Sequence, residues 1–295
     1  MIKKLSTYTF ALLALIVLFS ACKKEYESIQ NIDDVKLKQY ISSNHLTVTK
    51  DSTGFYYAVV TPGTGANFID KDSVLYNVVV KSITNGTVYY NTTTFSSNFG
   101  TLVGYSGTFV TQTIPAIRTA ILAISPGGTA KVLLPSYLAF GKNGLSNINV
   151  PSNEPVELTI VTYPERSQAA LDNRLIQEFL TKNSLTATKD SSGVYYNILA
   201  PGTGTEVINK SSTIKAKYTG RLLNGTVFDS STDGTFSQPL GGLIPGWQKV
   251  VPKIRKGGKL RMFIPSGLGY GSTASEKVPS NSILDFDLEV DSVGN

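Results

Sequence analysis

The sequence predicts an α+β protein of two tandem units, each a short helix followed by strands. Three observations predict it. One motif series is written twice in 295 residues. Short runs rich in Thr, Val, Tyr and Ile alternate apolar with polar residues at period two. Ahead of each series stands a stretch read as a helix, the second with apolar residues at i, i+4 and i+8.

The repetition is direct. Leu46 to Gly54 (LTVTKDSTG) returns as Leu185 to Gly193 (LTATKDSSG). Both lead through Tyr-Tyr (Tyr56-Tyr57 and Tyr195-Tyr196) to Pro-Gly-Thr-Gly at 62–65 and 201–204, at an offset of 139 that still holds at Asn85–Val88 and Asn224–Val227. The offset is 130 at Ile114-Pro115 against Ile244-Pro245, so the first copy has nine extra residues. It is 128 at Val150–Asn153 against Val278–Asn281, which adds two more. The boundary between copies falls near Tyr163 to Ser167.

In the second copy Ser167 is a candidate N-cap, and Leu171, Leu175 and Phe179 share one helix face. The first copy's helix is expected over about Asp33 to Asn44, with Val35, Tyr40 and Ile41 as its apolar positions. Strands are read where Ile214, Ala216 and Tyr218 alternate with lysines and where Leu260, Met262 and Ile264 alternate with Lys259 and Arg261. A third runs where Leu284, Phe286, Leu288 and Val290 alternate with Asp285, Asp287 and Glu289.

Hydrophobic residues make up 41%, enough for a core in each half. The net charge of +6 is spread thinly: residues 23–163 carry 10 basic against 9 acidic side chains, and 164–295 carry 15 against 12. The local cluster Lys249, Lys253, Arg255, Lys256, Lys259 and Arg261 is expected to be a solvated face, and nucleic acid is not an expected partner. With one cysteine, Cys22, and one histidine, His45, a Cys/His metal site and an internal disulfide are excluded.

Lys3 and Lys4, the apolar run Phe10–Phe19 and the small residues before Cys22 describe a secretory leader. Ten apolar residues are too few to span a bilayer core of about 30 Å. The ending resembles a bacterial lipobox, although Phe19 stands where Leu is usual. That resemblance implies lipidation of Cys22, a leader over 1–22 and a polar tether over 23–32. It implies a membrane-anchored protein of the bacterial cell envelope, on the periplasmic or surface face, with the outer membrane favoured.

The second copy carries further strings in order: Tyr218-Thr-Gly220, Asn224-Gly-Thr-Val-Phe-Asp-Ser-Ser231, Pro239-Leu-Gly-Gly242 and Leu243-Ile-Pro-Gly-Trp247. Gly257-Gly258, Ile264-Pro265, Leu268-Gly-Tyr-Gly271, Val278-Pro279 and Leu284-Asp-Phe-Asp287 follow. Over residues 207–293 this set resembles the FKBP family of peptidyl-prolyl cis/trans isomerases. The resemblance implies an antiparallel sheet curled around one short helix, with a pocket between them. It implies that Tyr218, Phe228, Asp229, Tyr270 and Phe286 take part in catalysis, and that Phe236, Leu243, Ile244, Trp247 and Val278 bind substrate. Trp247 is the expected floor, and the Tyr270 hydroxyl and the Val278 backbone N–H the expected hooks for substrate carbonyls. Asp229 is expected to accept a hydrogen bond from Tyr218. Pro252 falls inside the expected helix and should bend it or end it early. No cofactor or metal is implied, and the partners are proline-containing polypeptides.

The same alignment sets Val79 against Tyr218, Tyr89 and Tyr90 against Phe228 and Asp229, Ile117 against Trp247, Phe140 against Tyr270 and Leu158 against Phe286. The domain reading is therefore a degenerate unit over 33–163 and an isomerase unit over 164–295. The segment Asn91–Thr113 is expected to be a long loop, either a binding surface or a tolerated insertion. A lipid-anchored binding module or chaperone with vestigial catalysis is the competing function.

Overall fold

A computed structural model describes residues 27–92, 97–273, 275 and 277–294. Cys22 and the rest of the leader lie outside them. Among the described residues no helix is long and apolar enough to cross a membrane.

The first unit runs α1 (Ile29–Ser43), β1 (Thr49–Lys50), β2 (Tyr56–Thr61), β3 (Ser73–Ser82), β4 (Val88–Asn91), β5 (Phe99–Leu102), β6 (Thr108–Phe109), β7 (Gln112–Thr113), α2 (Pro115–Leu122), β8 (Thr129–Leu134) and β9 (Val156–Thr162). The second runs α3 (Gln168–Lys182), β10 (Thr188–Lys189), β11 (Tyr195–Ala200), β12 (Thr213–Leu222), β13 (Val227–Ser231), β14 (Ser237–Pro239), α4 (Pro245–Val250), β15 (Lys259–Ile264) and β16 (Leu284–Gly294). Each unit builds one seven-stranded antiparallel sheet, in the orders β1-β2-β8-β9-β3-β4 and β10-β11-β15-β16-β12-β13, and β6 and β7 of the first unit pair apart from it as a hairpin. A further strand pairs with β3 in one (β5) and β12 in the other (β14).

The period-two runs fill the inner face of each sheet. Leu260, Met262, Ile264, Leu284, Phe286, Leu288 and Val290 are all buried, with Trp247 and Val250 of α4 packed among them. Helix α4 begins with Pro245, whose missing N–H costs nothing at a helix start. It ends at Val250, and Pro252 sits in a 3₁₀ turn over Val251–Lys253. Without an N–H, Pro252 cannot continue the α-helical bonding.

The outer face of the second sheet is covered by α3. Ser167 Oγ accepts from Ala170 N at 3.3 Å, and Leu171, Leu175, Ile176 and Leu180 pack against Tyr195, Leu223, Phe263 and Ile283. Leu75 and Tyr163 of the first unit join this cluster, so the two units share an apolar seam.

The first helix differs from the expectation. It starts four residues earlier, because Ser28 Oγ accepts from Asn31 N and caps it there. Residues 29–32 are thus helix instead of tether. Asp33 and Leu37 are its buried positions, while Val35 is 58% exposed, since two residues from each of them puts it near the opposite face.

The strand pairing also corrects one aligned residue. Val80 pairs with Leu158 as Gly220 pairs with Phe286. The partner of Tyr218 in the first unit is therefore Val78 instead of Val79. The turn after β3 is one residue longer: Ser82 N bonds Thr87 O, whereas Leu222 N bonds Thr226 O. An opposite change before the strand hides the shift.

Among the described residues, three of the six in the basic cluster pair with acids. Lys253 meets Asp190 at 2.9 Å and Lys259 meets Glu289 at 3.1 Å. Arg261 grips Asp285 with two bonds, of 3.0 and 2.9 Å. Asp285, placed on the polar side by alternation, is 3% exposed because Arg261 and Arg221 cover it.

These positions set an expected contrast in α1. In the full chain Leu37→Ala lowers the stability read from denaturant unfolding by about 2–5 kcal/mol. Val35→Ala stays within about 0.5 kcal/mol. Equal effects would show that Leu37 is not a core position.

Candidate active site

Between the inner face of the second sheet and α4 lies a cavity of about 100 Å³. That is about three water volumes, the scale of one small aliphatic ring. Its lining is Tyr218, Asp229, Phe236, Leu243, Ile244, Trp247, Tyr270 and Phe286.

Each wall has a local cause. Tyr218 is on β12 at an inward position, and Phe286 is on the neighbouring strand β16. Trp247 is on the first turn of α4, buried to 3% exposure beneath the cavity. Gly246 beside it lets the helix approach β15: a Cβ there would meet Ile264 Cγ2 at 2.4 Å. The rings hold one another edge to face. Trp247 and Phe286 are 5.3 Å apart at 90°, Tyr218 and Trp247 5.4 Å at 86°, and Tyr218 and Phe236 5.0 Å at 77°. The buried Trp247 Nε1 has no hydrogen-bond partner among the described residues.

Phe228 and Val278 stand outside the lining. Phe228 is buried behind Phe286, 5.5 Å away at 89°, and also touches Tyr270 at 6.3 Å. It supports two walls. The Val278 N–H, expected as an open hook, donates to Ser275 Oγ at 3.0 Å, and the Val278 carbonyl accepts from Ser275 N at 2.8 Å. A substrate carbonyl would have to displace that hydroxyl.

The polar groups sit at the mouth. Tyr218 Oη donates to Asp229 Oδ2 at 2.7 Å, and Asp229 is exposed at the rim. Tyr270 is 44% exposed. Burial first, then the bonded Asp229 carboxylate, raise the Tyr218 phenol well above its ordinary value of 10. Burial and the Asp229 charge also raise Tyr270. Both phenols therefore stay neutral donors beyond the ordinary tyrosine range.

The sequence reading missed the residue that makes room. Gly220 lies opposite Phe286 on β12, where a Cβ would meet Phe286 Cε1 at 2.6 Å and Phe228 Cζ at 2.8 Å. The string Tyr-Thr-Gly signalled it, but only the strand register shows what the glycine admits.

In the first unit the equivalent space is full. Val80 holds the place of Gly220 and Leu158 that of Phe286, both wholly buried. The expected loop Asn91–Thr113 instead contains β5, a 3₁₀ turn over Val103–Tyr105 and the β6–β7 hairpin. Its Phe109, 1% exposed, packs against Tyr90, Phe99 and Phe140 at 5.2, 5.8 and 6.2 Å. Ile114 is wholly buried there, whereas Ile244 still faces the second unit's cavity.

The electrostatics give a direct check. In an absorbance titration of tyrosinate, replacing Asp229 with Ala should move the Tyr218 midpoint down yet leave it above 10, because burial is the larger cause. An unmoved midpoint would mean that the carboxylate does not act on Tyr218.

Residues 204–291, which include all of the pocket positions, match the family described as FKBP-type peptidyl-prolyl cis-trans isomerase. The chain is 43% identical over 110 residues to the FKBP-type peptidyl-prolyl cis-trans isomerase FkpA of Buchnera aphidicola subsp. Schizaphis graminum. The match covers 37% of this chain and 44% of that protein, so the chain spans under half the length of that relative. It is 30% identical over 169 residues to the protein of the same name from Buchnera aphidicola subsp. Baizongia pistaciae, covering 52% of this chain and 67% of that one. Among solved structures, FkpA from Escherichia coli matches with 36% identity and a TM-score of 0.38, over 42% of this chain and 60% of that one. By its ordered motifs and the extent of the second of these likenesses, the chain belongs to the FKBP-type peptidyl-prolyl cis-trans isomerase family.

Proposed function

We propose that the second unit, residues 164–295, catalyses cis/trans isomerisation of X–prolyl bonds in exported polypeptides, and so assists their folding. The observation that carries this reading is the ring-sized aromatic cavity with phenolic hydroxyls at its mouth.

Resonance holds the peptide bond planar behind a barrier of about 18–20 kcal/mol. X–Pro bonds populate both isomers and exchange over tens to hundreds of seconds. The twisted amide has less charge separation than the planar one. An aromatic cavity walled by Tyr218, Phe236, Trp247 and Phe286 favours the less polar, twisted form over the ground state. Stabilising the transition state more than the ground state raises the rate, by about tenfold for each 1.4 kcal/mol. Tyr270 Oη holds a substrate carbonyl while the bond turns, and Tyr218 Oη, bonded to Asp229, fixes the wall. The proton-transfer residues of hydrolytic sites have no part in such a rotation.

The first unit, from residue 29 to 163, is a degenerate copy of the same fold without catalysis of its own. Val80, Leu158 and Phe109 occupying the equivalent space support this. The chain is anchored in the bacterial envelope by acylation of Cys22. The leader pattern supports that reading, and acyl chains bind a bilayer in proportion to their buried methylene groups.

Two outcomes are expected. The full chain accelerates isomerisation of a short X–Pro peptide, and Phe286→Ala or Phe228→Ala lowers kcat/KM about tenfold or more. Turnover unaffected by both changes would move the activity out of this pocket, and a folded chain with no turnover would leave a binding module. Mass spectrometry of the mature protein finds an acylated cysteine at position 22, and Cys22→Ser abolishes sedimentation with membranes.

A further inference from the structure

We infer that Asn98, a residue of the first unit, is a positioning residue for the second unit's pocket; the inference rests on the isomerase reading above. Asn98 is 4% exposed at the junction between the units. Its side-chain amide forms a reciprocal pair with that of Gln168 at the start of α3, both bonds being 3.0 Å. Its backbone carbonyl accepts from Asn281 Nδ2, also at 3.0 Å.

Both contacts lead to the same turn. Gln168 Nε2 also donates to Asp172 Oδ1 at 2.7 Å. Asp172 Oδ2 accepts from the backbone N and the hydroxyl of Ser266, each at 2.7 Å. Ser266 O then accepts from Gly271 N at 2.9 Å. By the other route, Asn281 N donates to Gly271 O at 2.8 Å. Gly271 follows Tyr270, the residue whose hydroxyl stands at the cavity mouth. Asn98 thus closes a ring of hydrogen bonds around the segment that aims Tyr270.

The first unit is an internal control for this relay. Asp33 binds Ser136 N and Oγ at 2.8 and 2.6 Å, as Asp172 binds Ser266. Asn153 N binds Gly141 O at 3.0 Å, as Asn281 N binds Gly271 O. Ile29 occupies the position of Gln168, however, and the buried Asp33 Oδ1 has no partner among the described residues. These two anchoring bonds of the turn therefore form without the relay. Where the relay is present, it couples the turn to a neighbouring unit, and hydrogen-bonded networks of this kind respond to substitution as a unit.

The experiment is a double-mutant cycle in the full chain with a short X–Pro peptide as substrate. Asn98→Ala is expected to lower kcat/KM about fivefold, and to cost less than about twofold when Tyr270 is already Phe, as for residues acting through one another. Gln168→Ala approaches the junction from the other unit and should give the same pattern if Asn98→Ala folds poorly. Hydrogen exchange at the Gly271 amide should quicken in both variants. Equal losses in the two backgrounds, or no loss, overturn the proposal, as does unchanged exchange at Gly271. If the unmodified chain does not turn the peptide over, the isomerase reading fails, and the exchange measurement still decides whether Asn98 holds the turn.

Discussion

The close approach of Phe286 and Phe228 to strand β12 is possible only because Gly220 has no side chain, and the pocket is built outward from that contact. A Cβ at this position would stand 2.6 Å from one ring and 2.8 Å from the other. With the space open, Phe286 turns its edge to Trp247, Trp247 lies beneath the cavity, and Tyr218 and Phe236 close the sides. Edge-to-face contacts between such rings contribute about 0.5–1.5 kcal/mol each beyond their buried area. The walls therefore stiffen one another. In the first unit Val80 takes the same position, and a close-packed interior tolerates no second occupant. Leu158 and Phe109 then complete a solid core.

A second layer supports the first from behind. The helix ahead of each sheet buries one carboxylate, Asp33 or Asp172, against the serine that begins the turn after the strand. Burial raises the Asp172 carboxyl, while bonds from Gln168 and Ser266 pull it partly back. A buried acceptor is tolerable only when such bonds replace lost hydration. The arrangement ties an outer helix to a loop that carries a mouth residue, so the precision of the pocket depends on parts that never touch it.

The two units also show one fold built with a cavity and without one. The strand order, the bulge in the β3–β4 and β12–β13 pairings and the short inner helix are common to both, because each follows from alternation, turn residues and a proline at a helix start. The cavity depends on a handful of positions where small and aromatic residues are matched. Those positions can change without disturbing the sheet, so the same fold forms with the cavity in one unit and with a filled core in the other.

Much of this was legible in the residues. Period-two alternation located the long strands, since one face of each sheet is buried, and Ser167 with its apolar stripe located α3. Eight of the ten pocket positions expected from the family resemblance line the cavity, because their motifs sit at fixed distances from turns and strand ends. Other features needed the tertiary structure. Compensating one-residue changes hid the register that pairs Val78 with Tyr218. Alternation placed Asp285 outside, whereas Arg221 and Arg261 bury it. The Val278 N–H looked free until Ser275 was found beside it. Local sequence determined which elements form and which faces are apolar, because those depend on neighbours in the chain. Which glycine opens a cavity, which serine fills a donor and which asparagine crosses between units were decided by residues far apart in sequence, which only folding brings into contact.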